Sequence, residues 1–388
     1  MAGAKQKSPA RIPFIRPEPP KLSCHTDELA QIENSGIYSN YGPVNTQLEL
    51  EFISSMFGQG DCLTVCNATI GLMMSIRTVI GDEPPTARRY ALMPSFTFAA
   101  AAHAAMWCGL TPLLCDVAPD TWLPDAESEE ALLLKYAGQV SVILPCATFG
   151  NNLDLAHYRD LSRRYGVPIV VDAAASLGSQ DHDRNAFGAG FEWPVIFSMH
   201  ATKLFATGEG GLIYCADKER VARLRTMGSF GFEQPRSATM FGINSKMAET
   251  SALSALLQLR GFADVVQRRD QLVHHYAQCL SKEITLQRSL GRRQAHSFVS
   301  ILLPKDVAYK RDQIRGYLRS QNIETASYFS PHLVEQPFFQ KHAVTAALPN
   351  TEEIATRIVS LPTYEGMSVR DVKRVVSELH YGIQTARS

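Results

Sequence analysis

Between about residue 60 and residue 215, short apolar runs alternate with stretches of helical periodicity, and this alternation limits the fold more than any other feature. The runs are Leu63–Cys66, Tyr90–Met93, Pro112–Cys115, Val140–Leu144, Pro168–Val171, Val195–Phe197 and Leu212–Tyr214. Helical patterns fall at Ile70–Ile80, Phe98–Cys108 and Leu153–Tyr165. A strand that is apolar throughout needs cover on both faces, and strands that alternate with helices are joined by crossovers. The expectation is an α/β fold with a mostly parallel seven-stranded sheet flanked by helices. In such sheets ligands sit beyond the carboxyl ends of the strands, so residues just past each run are the candidates for chemistry.

The rest of the 388 residues reads differently. A long helix is expected from Ala248 through Arg269 and beyond, then a strand at Phe298–Leu302 and helices at 308–320 and 368–382. This predicts a smaller C-terminal α+β domain. Residues 1–26 hold five prolines and read as an arm that could cross a neighbouring subunit. The expected division is an arm at 1–26, a large cofactor-binding domain at 27–250, and a linking helix with the small domain at 251–388. With 38 basic and 38 acidic residues, the chain lacks the basic excess of a protein that binds nucleic acid through phosphates. Hydrophobic residues at 45% exclude disorder for the bulk, and a small-molecule enzyme is the expected class. The eight cysteines form no CxxC pair and no Cys/His cluster of zinc spacing, so they read as buried free thiols in a reducing compartment, with no metal site. The N-terminus lacks the apolar run of a secretory signal, and no stretch reaches the ~18 apolar residues of a membrane span. A cytoplasmic protein without a membrane partner is expected.

Four segments fall at strand ends. Asp172 follows Pro168–Val171 and reads either as a helix cap or as a carboxylate that pairs with a protonated ring nitrogen. Lys203 lies between the Val195–Phe197 run and Gly208-Glu209-Gly210-Gly211. It is either an ordinary solvated lysine or a partly buried amine of lowered pKa able to form a Schiff base. His200 beside it reads equally as a cofactor contact or as a locally bonded structural residue. Cys66-Asn67-Ala68-Thr69 opens a helix whose N–H groups suit a phosphate, although Asn and Thr are also common caps. Pro94-Ser95-Phe96-Thr97-Phe98 offers an aromatic to a planar ring or, equally, to the core. Together these residues fit pyridoxal 5′-phosphate: an amine for its aldehyde, a carboxylate for its nitrogen, a phosphate cup and an aromatic cover.

The same residues carry a family resemblance. Asn40-Tyr41-Gly42-Pro43, Pro94 to Phe98, Asp116-Val117, Val171-Asp172-Ala173-Ala174, the Lys203 segment with its Gly-Glu-Gly-Gly, and Gly242 to Met247 occur in the order and at about the spacing of a known group. Over roughly residues 35 to 380 the chain resembles the DegT/DnrJ/EryC1/StrS family, sugar aminotransferases of aspartate-aminotransferase-like fold. Tyr328, Pro331-His332 and Leu361-Pro362 fit its C-terminal domain. The resemblance implies that Lys203 binds the cofactor aldehyde, Asp172 pairs with the pyridine nitrogen, and Phe98 stacks on the ring. It implies that Ala68, Thr69 and Ser198 bind the phosphate and that Asn244 reaches it from a second chain, so the enzyme is a homodimer with a shared site. The implied reaction moves an amino group from glutamate to a keto group of a nucleotide-linked deoxysugar. A dehydrating relative carries histidine at the lysine position, so Lys203 implies transamination.

The chain also departs from the family pattern. Ala175 stands where Gln or His is usual, Ala147 replaces a histidine ahead of Gly150, Asn67-Ala68-Thr69 replaces Ser-Gly-Thr, and Lys246 replaces an arginine. These changes spare the lysine and bear on the substrate. Arg225, Arg236 and Lys246 are candidate cations for a diphosphate, each also readable as an ordinary surface or interface residue. Transfer to a non-nucleotide keto sugar or cyclitol, and a non-catalytic scaffold role, stay as alternatives. A nicotinamide or flavin enzyme is disfavoured because no GxGxxG follows a predicted strand.

Overall fold

The computed structural model describes residues 10–82 and 87–388, so residues 1–9 of the expected arm lie outside the described residues. The seven expected strands are present as β1 (Asp61–Val65), β2 (Tyr90–Pro94), β3 (Thr111–Cys115), β4 (Val140–Ile143), β5 (Val171–Asp172), β6 (Val195–Ser198) and β7 (Gly211–Cys215). Two hydrogen-bonded ribbons, β1-β7-β6-β5 and β4-β2-β3, are joined by parallel bridges at Ile143–Ile169 and Cys146–Asp172. The strand order across the sheet is therefore β1-β7-β6-β5-β4-β2-β3. A short strand at Val344–Thr345, invisible as a sequence pattern, adds a parallel edge to β3.

β7 runs antiparallel to both β6 and β1, whereas the pairs among β2 to β6 are parallel. The physical reason is the connection. Parallel neighbours need a crossover of a dozen or more residues, usually a helix, but an antiparallel pair can be closed by a loop that stays on one edge. Residues 199–210 form such a loop and contain no helix, so Lys203 stays at the carboxyl edge of β6.

The helices that cover the sheet are α1 (Thr26–Ser35), α2 (Pro43–Phe52), α3 (Ala68–Ile80), α4 (Ala99–Trp107), α5 (Ala126–Lys135), α6 (Leu155–Tyr165), α7 (Lys218–Met227) and α8 (Glu249–Cys279). α6 begins two residues later than the Leu153 start expected from periodicity, because the Asp154 carboxylate caps the amides of Ala156 and His157. The start of α2 has no side-chain cap of its own. Its Val44 and Asn45 amides donate to the carboxylate of Glu249, at 2.8 and 3.0 Å, from the first turn of α8. A cap some two hundred residues away leaves no local signal.

Beyond α8, Thr285–Leu286, Val299–Leu302 and Ile358–Leu361 form an antiparallel sheet, packed by helices Arg311–Ser320 and Val369–Arg387. The described part of the arm lies on this same unit. Ile12 is buried and pairs in parallel with Ile323, and Arg11 bonds Glu324 at 2.5 Å. All eight cysteines are free, but the expectation of burial fails for Cys24, which is exposed in the polar arm, and only partly holds for Cys66 and Cys279. Among the described residues no helix is long and apolar enough to cross a membrane.

Candidate active site

The sheet register lines up the first group of candidates. Ser198, the last residue of β6, faces Gly211 on β7, and Gly211 faces Val65, the last residue of β1. After Val65 the chain turns through Cys66 and Asn67 into α3. Asn67 caps this helix by accepting the Ile70 amide at 3.0 Å. The Ala68 and Thr69 amides belong to the first turn, where no intrahelical acceptor exists, and the helix dipole adds partial positive charge there. Gly211 makes room for this start: a Cβ on it would sit 2.8 Å from the Ala68 nitrogen and 2.9 Å from the Asn67 carbonyl carbon. The Gly-rich stretch thus has a steric cause. Gly211→Ala should push α3 from the strand and weaken phosphate binding about tenfold or more, in line with the ~1–3 kcal/mol cost of overpacking. Inorganic phosphate competition against cofactor binding would measure it; unchanged affinity would show that the close approach is immaterial.

The second group lies at the carboxyl ends of β4, β5 and β6. Asp172 is 4% exposed, and its carboxylate accepts the Ala174 amide at 3.1 Å. Burial raises its pKa, opposed by that hydrogen bond and by the charge of Lys203. Burial lowers the Lys203 pKa, opposed by Asp172 and by Cys146. Lys203 and Asp172 are therefore electrostatic neighbours, as expected from a strand-end lysine and a strand-end aspartate. The loop around Lys203 is tied to itself by Met199–Gly210, Ala201–Gly208 and Thr207–Met199 backbone bonds. His200 is bonded locally: its ring bonds the Thr202 hydroxyl at 2.8 Å and the Thr202 amide at 3.2 Å, and its own amide donates to Ser198 Oγ.

Two neighbours of this centre did not emerge as site candidates. Cys146 pairs with Asp172 across the bridge between β4 and β5, and burial pushes its thiol up to about 12, so it is a neutral group there. Thr97 is buried beside that thiol. Its signal was available in Pro94 to Phe98, where the aromatic drew attention instead. Phe98 itself is 58% exposed at the start of α4, consistent with a free ring face and not with the core packing that was its rival reading.

The other candidates separate. Asn244 is exposed and its side chain bonds none of the described residues, although Ser245 O accepts the Cys66 amide at 2.7 Å in the same chain. Lys246 lies over the Phe230 ring, 4.7 Å from its centroid. Arg236 is exposed over Phe232. Arg225 is not a free cation for a diphosphate: it bonds Glu49 at 2.7 Å and packs on Tyr41. Asp116 caps the helix Pro349–Arg357 through the Asn350 and Thr351 amides. Its place in the family motif is thus explained by folding. Ala147 is buried and Ala175 partly so.

The arrangement fits pyridoxal 5′-phosphate. A helix start held open by a glycine that tolerates no Cβ suits its phosphate, and a half-buried lysine beside a buried aspartate suits its aldehyde and ring nitrogen. Comparisons agree. A family model for the DegT/DnrJ/EryC1/StrS aminotransferases matches residues 23–380. A solved Bacillus cereus ATCC 10987 structure, assigned as a PLP-dependent aminotransferase, is 37% identical with a TM-score of 0.90, covering 96% of this chain and 100% of that one. DesI, solved in the presence of its TDP-sugar product, is 28% identical with a TM-score of 0.86, covering 98% and 95%. The dTDP-4-amino-4,6-dideoxy-D-glucose transaminase of Shigella dysenteriae is 27% identical over 94% of this chain and 97% of its own length. The chain belongs to the DegT/DnrJ/EryC1/StrS aminotransferase family and is an enzyme dependent on pyridoxal 5′-phosphate.

Proposed function

We propose that the enzyme transfers an amino group from glutamate to a keto group of a nucleotide-linked deoxysugar, as a cytoplasmic homodimer whose two chains share each active site. The observation that carries the reading is half-buried Lys203 beside the buried Asp172 carboxylate, near the open start of α3. The Shigella transaminase, named for a dTDP-sugar, and DesI, solved in the presence of its TDP-sugar product, support the acceptor class. When bound, the cofactor supplies an electron-withdrawing ring and an aldehyde for the amino group.

The protein groups then have distinct tasks. The Ala68 and Thr69 amides and Ser198 hold the phosphate. Phe98 covers one ring face and excludes water from it. Asp172 keeps a proton on the ring nitrogen. The Lys203 amine, lowered in pKa by burial, becomes neutral and nucleophilic at a lower pH than a solvated lysine and moves the proton at the substrate carbon that bears nitrogen. Asn244 reaches the phosphate from the second chain.

One observation favours a second reading. With Arg225 bound to Glu49, Lys246 and Arg236 are the remaining candidates for a diphosphate, and Lys246 cannot make a bidentate contact. An acceptor without a nucleotide, such as a free keto sugar or cyclitol ketone, needs no such contact. The test offers the cofactor-loaded enzyme both classes, with glutamate as donor. Turnover of nucleotide-linked keto sugars at least tenfold above the free ketones is the expected result; turnover of the free ketones alone overturns the acceptor assignment. For the shared site, mixing Lys203→Ala and Asn244→Ala chains should restore about a quarter of the activity, because a quarter of the sites in a random mixture are built from undamaged parts. No recovery in demonstrated mixed dimers rejects the crossing of Asn244.

A further inference from the structure

The segment 95–98 bears on the site at both ends. Thr97 is buried beside Cys146, which neighbours Asp172 and Lys203, and Phe98 follows with its ring exposed. The other end of the segment is held from the C-terminal part of the chain. His332 is 1% exposed, and its Nδ1 lies 2.8 Å from the hydroxyl of Ser95, which is fully buried. Leu333 N–H donates to the Ser95 carbonyl at 3.1 Å, and Val334 N–H approaches the Ser95 hydroxyl oxygen at 3.4 Å. His332 Nε2 stands 3.8 Å from the Glu335 carboxylate. Burial lowers the His332 pKa, which favours the neutral imidazole. Phe329, four residues before the end of the clamp at Leu333, packs on Phe96 at 5.5 Å and stands 6.5 Å from Phe98.

We infer that His332 is a positioning residue for amino transfer: by its hydrogen bond to the Ser95 hydroxyl it fixes the 95–98 segment and so sets the Phe98 ring against the cofactor. The inference rests on the proposed stacking of Phe98. A bland role, in which His332 only joins the C-terminal part of the chain to the sheet, would lower stability without touching cofactor geometry. The two roles differ in how His332 and Phe98 combine, because residues acting through one group are not additive.

The experiment measures cofactor dissociation constants and the visible circular dichroism of the bound cofactor in His332→Leu, Phe98→Ala and the double variant. Each single change should weaken cofactor binding up to about tenfold, the worth of one aromatic contact, and alter the dichroism. The double variant should be no weaker than Phe98→Ala alone. His332→Asn, whose amide can donate to or accept from the Ser95 hydroxyl, should restore most of the affinity. Should His332→Leu fail to fold, Ser95→Ala removes the same bond and enters the cycle in its place. Additive losses in the double variant, or loss of denaturant stability with unchanged cofactor affinity and dichroism, overturn the inference while leaving Phe98 in its role. An unchanged affinity in Phe98→Ala overturns the stacking role itself and the inference with it.

Discussion

Lys203→Ala should lose amino transfer by about 10³-fold or more, the scale expected when a positioned general acid–base is removed along with a nucleophile. It should also lose the covalent cofactor link trapped by borohydride, read as the mass of the Lys203 peptide. Both follow from one environment. Burial disfavours the ammonium form of Lys203, and the opposing pull of Asp172 does not cancel it. The sign is definite: a lowered pKa makes the amine neutral at a lower pH than in a solvated lysine, so attachment should reach its plateau at lower pH than for a model alkylamine. Lys203→Arg keeps the charge but cannot deprotonate, and it should fail like alanine. A trapped cofactor on any other lysine in the wild-type protein would refute the assignment.

Asp172→Asn should lower kcat/KM by about 10²–10³-fold, the usual size for losing one electrostatic group aimed at developing charge. An amide of the same shape cannot hold the proton on a ring nitrogen. A second readout follows from the pairing with Lys203. Asp172 raises the Lys203 pKa, so the variant should shift cofactor attachment to still lower pH. The apoenzyme should be no less stable for the change. The folded-state pKa of Asp172 lies above its ordinary value, so between those two values and above, the unfolded chain gives up its proton more readily and folding is penalised. Asparagine removes that penalty at neutral pH. Wild-type kcat/KM in Asp172→Asn would mean that the ring nitrogen is held by another group.

The parts of the site that were legible in the sequence sit within a few residues of an apolar strand. Asp172 and Lys203 stand out because each immediately follows or closely trails a run that must be a buried strand, and α3 announces itself by Asn67 and its apolar periodicity. Illegible parts depend on contacts between distant segments. Nothing near residue 43 reveals that Glu249 caps α2, and nothing near Asp116 reveals that it caps the helix at Pro349–Arg357. Arg225 looked as free as any arginine until the fold brought Glu49 to it.

The sequence alone determined the alternation of strand and helix and marked Asp172 and Lys203 as strand-end candidates on one side of the sheet. Those follow from local rules, since periodicity, apolar runs and caps act over one or two turns of chain. Tertiary structure decided the rest. It turned β7 antiparallel so that the Lys203 loop stays at one edge, required Gly211 to leave room for Ala68, placed Cys146 and Thr97 behind the Lys–Asp pair, and set His332 against Ser95. Each of these depends on the separation of groups far apart in the chain, a quantity that packing fixes and that no local pattern carries.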